Sequence, residues 1–109
     1  MIVRKTVEEA RATPILPGSR SALLMRHGSM ALRHYKPAGV DPQTPHDQDE
    51  VYIVIAGTGR FTVDGETVPF GPGDALFAAA GVEHRFLDFS ADFETWVLFY
   101  GPKGGEAGI

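Results

Sequence analysis

Two histidines and one glutamate, carried by two separate segments, are the residues best suited to chemistry. His46 and Glu50 stand four residues apart, and His84 follows much later in the chain. If the first segment is extended, alternate side chains share a face, so His46, Gln48 and Glu50 project together. His84 can join them from a neighbouring strand. Two imidazoles and a carboxylate suit non-haem Fe(II) and catalytic Zn(II), and Mn(II) and Ni(II) accept the same donors. The sequence therefore predicts a site for one divalent metal ion, with its two imidazole rings within about 6 Å of each other.

The sequence leaves the rest of the ligand set open. The amide oxygen of Gln48 is a candidate weak fourth ligand, and alternatively Thr44 and Gln48 hold a metal-bound water by hydrogen bonds. A competing hypothesis is a site without metal, in which the two histidines neutralise the buried glutamate. We favour metal because an unpaired buried carboxylate is costly unless it is protonated or matched with a cation.

Four neighbouring residues are expected to complete a pocket. Tyr52 has the same parity as Glu50, and its hydroxyl is a candidate catalytic acid or substrate ligand, with core packing as the alternative. Thr44, Phe86 and Asp88 are predicted to line the pocket. Phe86 would form a wall, and Asp88 would orient an imidazole or, alternatively, lie in a surface turn.

Short strands separated by turns must position these residues. Glycine and proline, at 13 and 8 residues, punctuate the chain in the pattern typical of an antiparallel sandwich or barrel. One short helix is predicted over 6–12, where Thr6 and Glu9 can form a capping box. We expect an N-terminal arm over 1–20, a barrel over 21–101 and a mobile tail over 102–109. The predicted strands cover 22–26, 30–36, 50–56, 60–63, 67–70, 75–78, 84–89 and 94–100.

Composition and charge are those of one ordinary globular domain. The chain has 109 residues, 43% of them hydrophobic and 22% charged. It has no cysteine, which excludes disulfides, thiolate ligands and cysteine nucleophiles. The net charge of −4 gives no general attraction to nucleic acid or anionic lipid, and no apolar run approaches the length of a membrane span. We therefore expect no nucleic-acid or membrane partner and, by default, a cytoplasmic location.

Two strands are apolar on both faces, over 51–55 and 96–100. A half-solvated antiparallel strand would carry a polar residue at every second position, so both faces must be covered. The barrel interior covers one face, and the N-terminal segment or a second subunit covers the other. On this basis we predict a homodimer.

The two segments resemble the two motifs of the cupin superfamily, over roughly residues 30–100. Two motifs in this order and separation are far more specific than either alone. The resemblance implies an all-β double-stranded β-helix, the jelly-roll barrel, holding a divalent metal ion (Fe, Zn, Mn or Ni) and a small-molecule substrate or ligand. The matching residues are Gly39, His46, Glu50 and Gly57 for the first motif, and Gly73, Gly81, His84 and Asp88 for the second.

Three positions depart from the family pattern. Thr44 stands where the first histidine ligand would be, Ala79 replaces a proline, and Asp88 replaces an asparagine. The threonine matters most, because a neutral hydroxyl is a poor donor to a divalent ion. His34, on the preceding strand, is a less favoured substitute for that ligand.

The family includes dioxygenases, isomerases, lyases and decarboxylases, so the resemblance does not select a reaction. We favour a metal-dependent, dioxygenase-like oxidoreductase that acts on a small organic acid or aromatic substrate. The alternatives are a cupin isomerase or lyase, and a non-catalytic module that binds a sugar or organic acid.

Overall fold

The computed structural model describes residues 3–108, which form two antiparallel β-sheets preceded by one short helix. The predicted all-β architecture with a short N-terminal helix is confirmed. The elements are α1 (Val7–Ala12), β1 (Ala22–His27), β2 (Met30–Tyr35), β3 (Asp49–Ala56), β4 (Gly59–Val63), β5 (Glu66–Phe70), β6 (Ala75–Ala78), β7 (His84–Leu87) and β8 (Glu94–Tyr100).

The chain crosses repeatedly between the two sheets. The larger sheet has the strand order β1-β2-β8-β3-β6, and the smaller has the order β5-β4-β7. Strand β8 therefore lies between β2 and β3, and β7 pairs with β4, so strands distant in sequence become neighbours. This is the jelly-roll arrangement, which brings the segment around His46 and the segment around His84 to the same end of the barrel.

Helix α1 begins with the predicted capping box. The backbone N–H of Glu9 donates to Thr6 Oγ1 at 3.1 Å, and the Thr6 N–H donates back to Glu9 Oε1 at 3.4 Å. Ala10 is buried against the barrel, and the Arg11 guanidinium donates to the buried Glu94 carboxylate on β8. The helix is thus attached to the outer face of the larger sheet at one end.

Aromatic side chains fill the space between the sheets. The ring of Phe86 lies 4.9 Å from Phe61, 4.7 Å from Phe93 and 4.9 Å from Tyr52, measured between centroids. These tilted and edge-to-face contacts are the arrangements that aromatic pairs prefer. Gly57 closes the turn beside this cluster with φ +90°, and a Cβ there would lie 2.5 Å from the Phe93 backbone. Only glycine fits that position.

Hydrogen bonds connect residues 104–106 of the C-terminal segment to the barrel, and the mobility expected over 102–109 stays a prediction. Asp49 is buried and accepts hydrogen bonds from the backbone N–H groups of Ala80 at 2.9 Å and Glu106 at 2.8 Å. The Gly104 N–H donates to the Asp47 carbonyl at 2.7 Å. The aperiodic, glycine-rich sequence gave no sign of these contacts, because they depend on a carboxylate that is distant in the chain.

Within residues 3–108 there is no helix of the length and hydrophobicity needed to span a membrane.

Candidate metal centre

Three elements position the two histidines and the glutamate. Glu50 is the second residue of β3, and His84 is the first residue of β7. His46 lies in the irregular segment before β3, not on a strand, since β3 begins only at Asp49. The Gly81 N–H donates to the His46 carbonyl at 2.7 Å, so the turn before β7 holds the segment that carries His46.

The three side chains converge. One ligand atom from each of His46, Glu50 and His84 lies within 4.8 Å of the others. The Nε2 atom of His84 is 2.5 Å from Glu50 Oε1, and the Nε2 atom of His46 is 3.8 Å from Glu50 Oε2. The two imidazole centroids are 5.4 Å apart, inside the limit of about 6 Å set by a shared ion. The two distant segments therefore form one cluster of nitrogen and oxygen donors.

Two buried atoms of this cluster lack hydrogen-bond partners among the described residues: Glu50 Oε2 and His84 Nε2. Their residues are only 1% and 2% exposed. The Nδ1 atom of His84 lies 2.9 Å from the Val82 carbonyl, which can only accept, so Nδ1 carries the proton and Nε2 presents a lone pair to Glu50. A lone pair and a carboxylate oxygen 2.5 Å apart repel each other unless a proton lies between them or a cation binds both groups. Two imidazoles and a carboxylate are a donor set that a divalent cation accepts.

A proton can occupy the same place when no metal is bound. Burial lowers the pKa of His84, but the adjacent Glu50 carboxylate and the Val82 carbonyl outweigh it, and the pKa is raised. Burial lowers the pKa of His46 more than the charge of Glu50 raises it. A metal ion bound here would therefore compete with a proton for His84, as it does for histidine ligands generally.

Asp41 organises the segment that carries His46, and sequence reasoning missed it. It is 1% exposed and accepts from the Phe86 N–H at 2.9 Å, the Gln43 amide at 2.7 Å and the Tyr35 hydroxyl at 2.5 Å. The Gln43 N–H also reaches Asp41 Oδ1 at 3.3 Å, which closes an Asx turn. The Asp-Pro pair at 41–42 was the available signal for this turn.

Gln43 and Tyr52 link this network to the cluster. The Tyr52 hydroxyl donates to Glu50 Oε1 at 2.6 Å and lies 3.1 Å from Gln43 Oε1, which is itself 3.4 Å from His46 Nε2. Burial, followed by the charge and hydrogen bond of Glu50, raises the pKa of Tyr52 well above its ordinary value. The ring of Tyr52 thus packs in the core and its hydroxyl contacts the cluster, while its role as a catalytic acid or substrate ligand stays a prediction.

The prediction that Gln48 shares the face of His46 and Glu50 is wrong. The Gln48 amide donates to the backbone carbonyls of Ser29 at 3.0 Å and Gly101 at 2.9 Å. The alternation rule failed because residues 46–48 are not part of the strand. The amide oxygen beside the cluster belongs to Gln43 instead.

Two predicted pocket residues lie elsewhere. Phe86 is 1% exposed and belongs to the aromatic core, so it is not a pocket wall. Strand β7 ends at Leu87, and Asp88 adopts φ +50°, which breaks the alternation that would have pointed it inward. Its carboxylate pairs at the surface with Arg60.

Thr44 lies near His46, whereas His34 lies on the outer face of the larger sheet. Thr44 is exposed and lines a cavity of about 310 Å³ together with His46. His34 is on the outer face of the larger sheet, where its Nε2 lies 2.7 Å from Glu94 Oε2. It therefore belongs to the attachment of α1 and does not substitute for a ligand.

Comparison with known proteins agrees with the resemblance to cupins described above. Residues 31–93 match the profile of the Cupin domain family, Cupin_2. An uncharacterized protein of Streptomyces coelicolor is 37% identical over 78 residues, covering 72% of this chain and 74% of that protein. The structure of KdgF from Halomonas sp. is similar with a TM-score of 0.65 and 20% identity, over 80% of this chain and 82% of that one. The structure of Fe(II)-HppE with an alternative substrate has a TM-score of 0.68 and 16% identity, over 91% of this chain and 60% of that one.

Proposed function

This chain belongs to the cupin domain family, and we propose that it is a metal-dependent, dioxygenase-like oxidoreductase that acts on a small organic substrate. The observation that carries the proposal is the pair of buried atoms without hydrogen-bond partners in residues 3–108, Glu50 Oε2 and His84 Nε2. Fe(II) is the first choice of metal, because two histidines and one carboxylate with open positions are a ligand set of non-haem iron oxygenases. The iron named for HppE supports the same choice.

Each residue of the cluster has a role in the proposal. His46, Glu50 and His84 would hold the ion, which when bound supplies Lewis acidity and, as Fe(II), a site for dioxygen chemistry. The Val82 carbonyl fixes the tautomer of His84 through Nδ1. Tyr52 keeps its phenolic proton at neutral pH, since its pKa is raised, and holds that proton on Glu50 Oε1 beside the substrate site.

Metal content tests the proposal directly. Untagged protein, purified and then reconstituted separately with Fe, Mn, Zn and Ni, should reach one metal per chain. His46→Ala and Glu50→Ala should each lower the metal affinity by about tenfold or more while the fold is retained. His34→Ala is the matched control, because it removes another buried imidazole that contacts a carboxylate away from the cluster. Metal that stays far below one per chain after all four reconstitutions, or an equal loss in His34→Ala, would contradict the proposed site.

A non-catalytic binding role is the second candidate. It is favoured by the small size of the innermost cavity, about 50 Å³, beside His46 and Tyr52. Oxygen uptake by the Fe(II)-loaded protein, measured with catechols, diketones and hydroxy acids, distinguishes an oxidoreductase from a binding protein. Ligand-induced rises in melting temperature without oxygen uptake would support binding alone.

A further inference from the structure

We propose that Arg20 and Arg33 form a subsite for a substrate carboxylate at the mouth of the metal centre. The substrate class would then be a small organic acid, anchored by its carboxylate at the arginines and presented to the metal centre at its other end. This inference rests on the proposed function, because it assigns the substrate of that same site.

Both arginines line the cavity that leads to the cluster. This cavity, about 310 Å³, has Arg20, Arg33, Thr44, His46 and Phe99 in its wall. Arg20, His46 and Phe99 also line the smaller inner cavity that reaches Tyr52. The outer and the inner cavity therefore adjoin each other and share part of their lining.

The strand register places Arg33 on the inner face of the sheet. Arg33 on β2 lies opposite Val97 on β8, and Val97 lies opposite Tyr52 on β3. Residues directly opposite in antiparallel strands point to the same face. Two strand spacings put the Cα atoms of Arg33 and Tyr52 about 10 Å apart. This separation suits a small organic acid that extends from one residue towards the other.

The two guanidinium groups have no carboxylate partner within the described part of the chain. Arg33 Nη1 donates to the Ser21 carbonyl at 3.2 Å and to Ser21 Oγ at 3.4 Å, and Arg20 Nη1 donates to the Pro42 carbonyl at 2.8 Å. All these acceptors are neutral. A guanidinium has five N–H donors, so most of them stay available to a ligand.

Two other arginines, in contrast, are paired with carboxylates. Arg11 pairs with Glu94 and Arg60 pairs with Asp88. Burial, together with the charge of Arg26, lowers the pKa of Arg33, which reflects positive charge held without compensation. An anion bound at the mouth would supply that compensation, and a planar carboxylate matches the planar fork of arginine.

Ligand binding to purified protein tests this inference. Succinate, 2-oxoglutarate and benzoate are titrated calorimetrically into the metal-loaded and the metal-free protein, with succinamide as the neutral analogue and inorganic phosphate as the competing anion. At least one carboxylate should bind, and its affinity should fall about tenfold or more in Arg33→Gln and in Arg20→Gln. Arg33→Lys should recover only part of the loss, because an ammonium lacks the fork.

Arg4→Gln is the control. Arg4 is exposed, precedes helix α1 and is outside the lining of both cavities. It carries the same charge, so a change of less than twofold in carboxylate affinity in this variant shows that direct contact with the arginines, and not the overall charge of the protein, is responsible. Melting curves for every variant establish that each is folded, and either arginine alone keeps the test valid if the other variant unfolds.

The outcomes separate this inference from the proposed function. Carboxylate binding that is unaffected by both glutamine substitutions, or phosphate binding more tightly than every carboxylate, would overturn the subsite even when the metal content is normal. Absence of metal with arginine-dependent carboxylate binding would instead reject the metal-dependent enzyme and keep the subsite. Failure of every carboxylate to bind to either form of the wild-type protein overturns the subsite as well.

Discussion

Glu50 is the residue on which the candidate site depends most. Its carboxylate contacts both histidines and the Tyr52 hydroxyl, while it is almost completely removed from solvent. A charge so placed must be matched, and only the two imidazoles and a cation can do so locally. The same burial that makes Glu50 costly for folding would strengthen its attraction to a metal ion.

The Tyr52 hydroxyl should matter for turnover and not for metal binding. Tyr52→Phe keeps the ring contacts with Phe61 and Phe86 but removes the proton held on Glu50. We expect turnover by the Fe(II)-loaded protein to fall by about a hundredfold and metal content to stay unchanged, since loss of a positioned proton donor has an effect of this size. Oxygen uptake as a function of pH, with metal analysis of the same samples, provides the measurement.

Tyr100→Phe is the control for this substitution, because Tyr100 pairs with Asp49 at the end of β8, outside the lining of the inner cavity. Equal turnover in wild type and Tyr52→Phe would show that Tyr52 is only a core residue. Loss of metal in Tyr52→Phe would show that its hydroxyl orients the Glu50 ligand.

At the scale of elements, a three-residue ionic cluster attaches helix α1 to the barrel. Glu94 on β8 accepts from Arg11 of the helix and lies 2.7 Å from His34 of β2. The Arg11 hydrogen bond, which outweighs the opposing effect of burial, and the His34 hydrogen bond lower the pKa of Glu94 to about 2. The helix is too short to be stable alone, so this cluster and the burial of Ala10 hold it in place.

The lowered pKa of Glu94 predicts an acid-sensitive contribution to stability. Because the folded-state pKa is below the ordinary value of 4.5, the contribution is complete above that pH and is lost as the pH falls towards about 2. It amounts to about 3 kcal/mol at most, and to less because the Arg11 side chain is 56% exposed and water screens the pair. In urea unfolding, the wild type should therefore have a higher unfolding free energy than Glu94→Gln at pH 7, and this difference should decrease between pH 5 and pH 3.

Glu66→Gln is the matched control for acid unfolding, since Glu66 is exposed on β5. Its unfolding free energy should follow the wild-type pH profile. A difference in unfolding free energy between wild type and Glu94→Gln that does not change with pH would contradict the lowered pKa of Glu94.

At the scale of the whole molecule, the outer face of the larger sheet is an apolar surface. One row of directly paired residues runs across all five strands on this face: Met25, Leu32, Leu98, Val51 and Phe77. Ile53, in the next row, is 42% exposed. Helix α1 covers the Glu94 end of this face, while Phe77 at the other edge is 51% exposed and the other four residues of the row are partly exposed. The predicted homodimer thus has a surface that would be buried by a second copy.

Sedimentation equilibrium at micromolar concentration tests the dimer. We expect wild type to sediment as a dimer and Ile53→Lys as a folded monomer, because a buried lysine at the centre of an apolar interface is strongly unfavourable. Val68→Lys is the control, since Val68 is 46% exposed on the smaller sheet. A monomeric wild type would reject the prediction. Dissociation of both variants would place the interface elsewhere.

The succession of strands along the chain and the two motif segments were predictable from the sequence. Turn residues and apolar alternation are local signals, so β1 to β8 and the capping box of α1 were predictable one segment at a time. The grouping of His46 and Glu50 with His84 was predicted from donor types and strand alternation, and the resemblance to the two cupin motifs supported it.

Tertiary structure decided what local rules could not. Alternation placed Gln48 and Asp88 inside, but the chain is irregular before β3 and turns sharply after β7, so both side chains lie elsewhere. Gln43 reaches the cluster beside Tyr52 of β3, and Asp41, bonded to Phe86 of β7, holds Gln43 in place, which no spacing in the sequence encodes. The sequence determined the strands and the metal-ligand types because these depend on neighbouring residues. The loops that complete the site were decided only by folding, because their conformation is set by buried hydrogen bonds between distant segments.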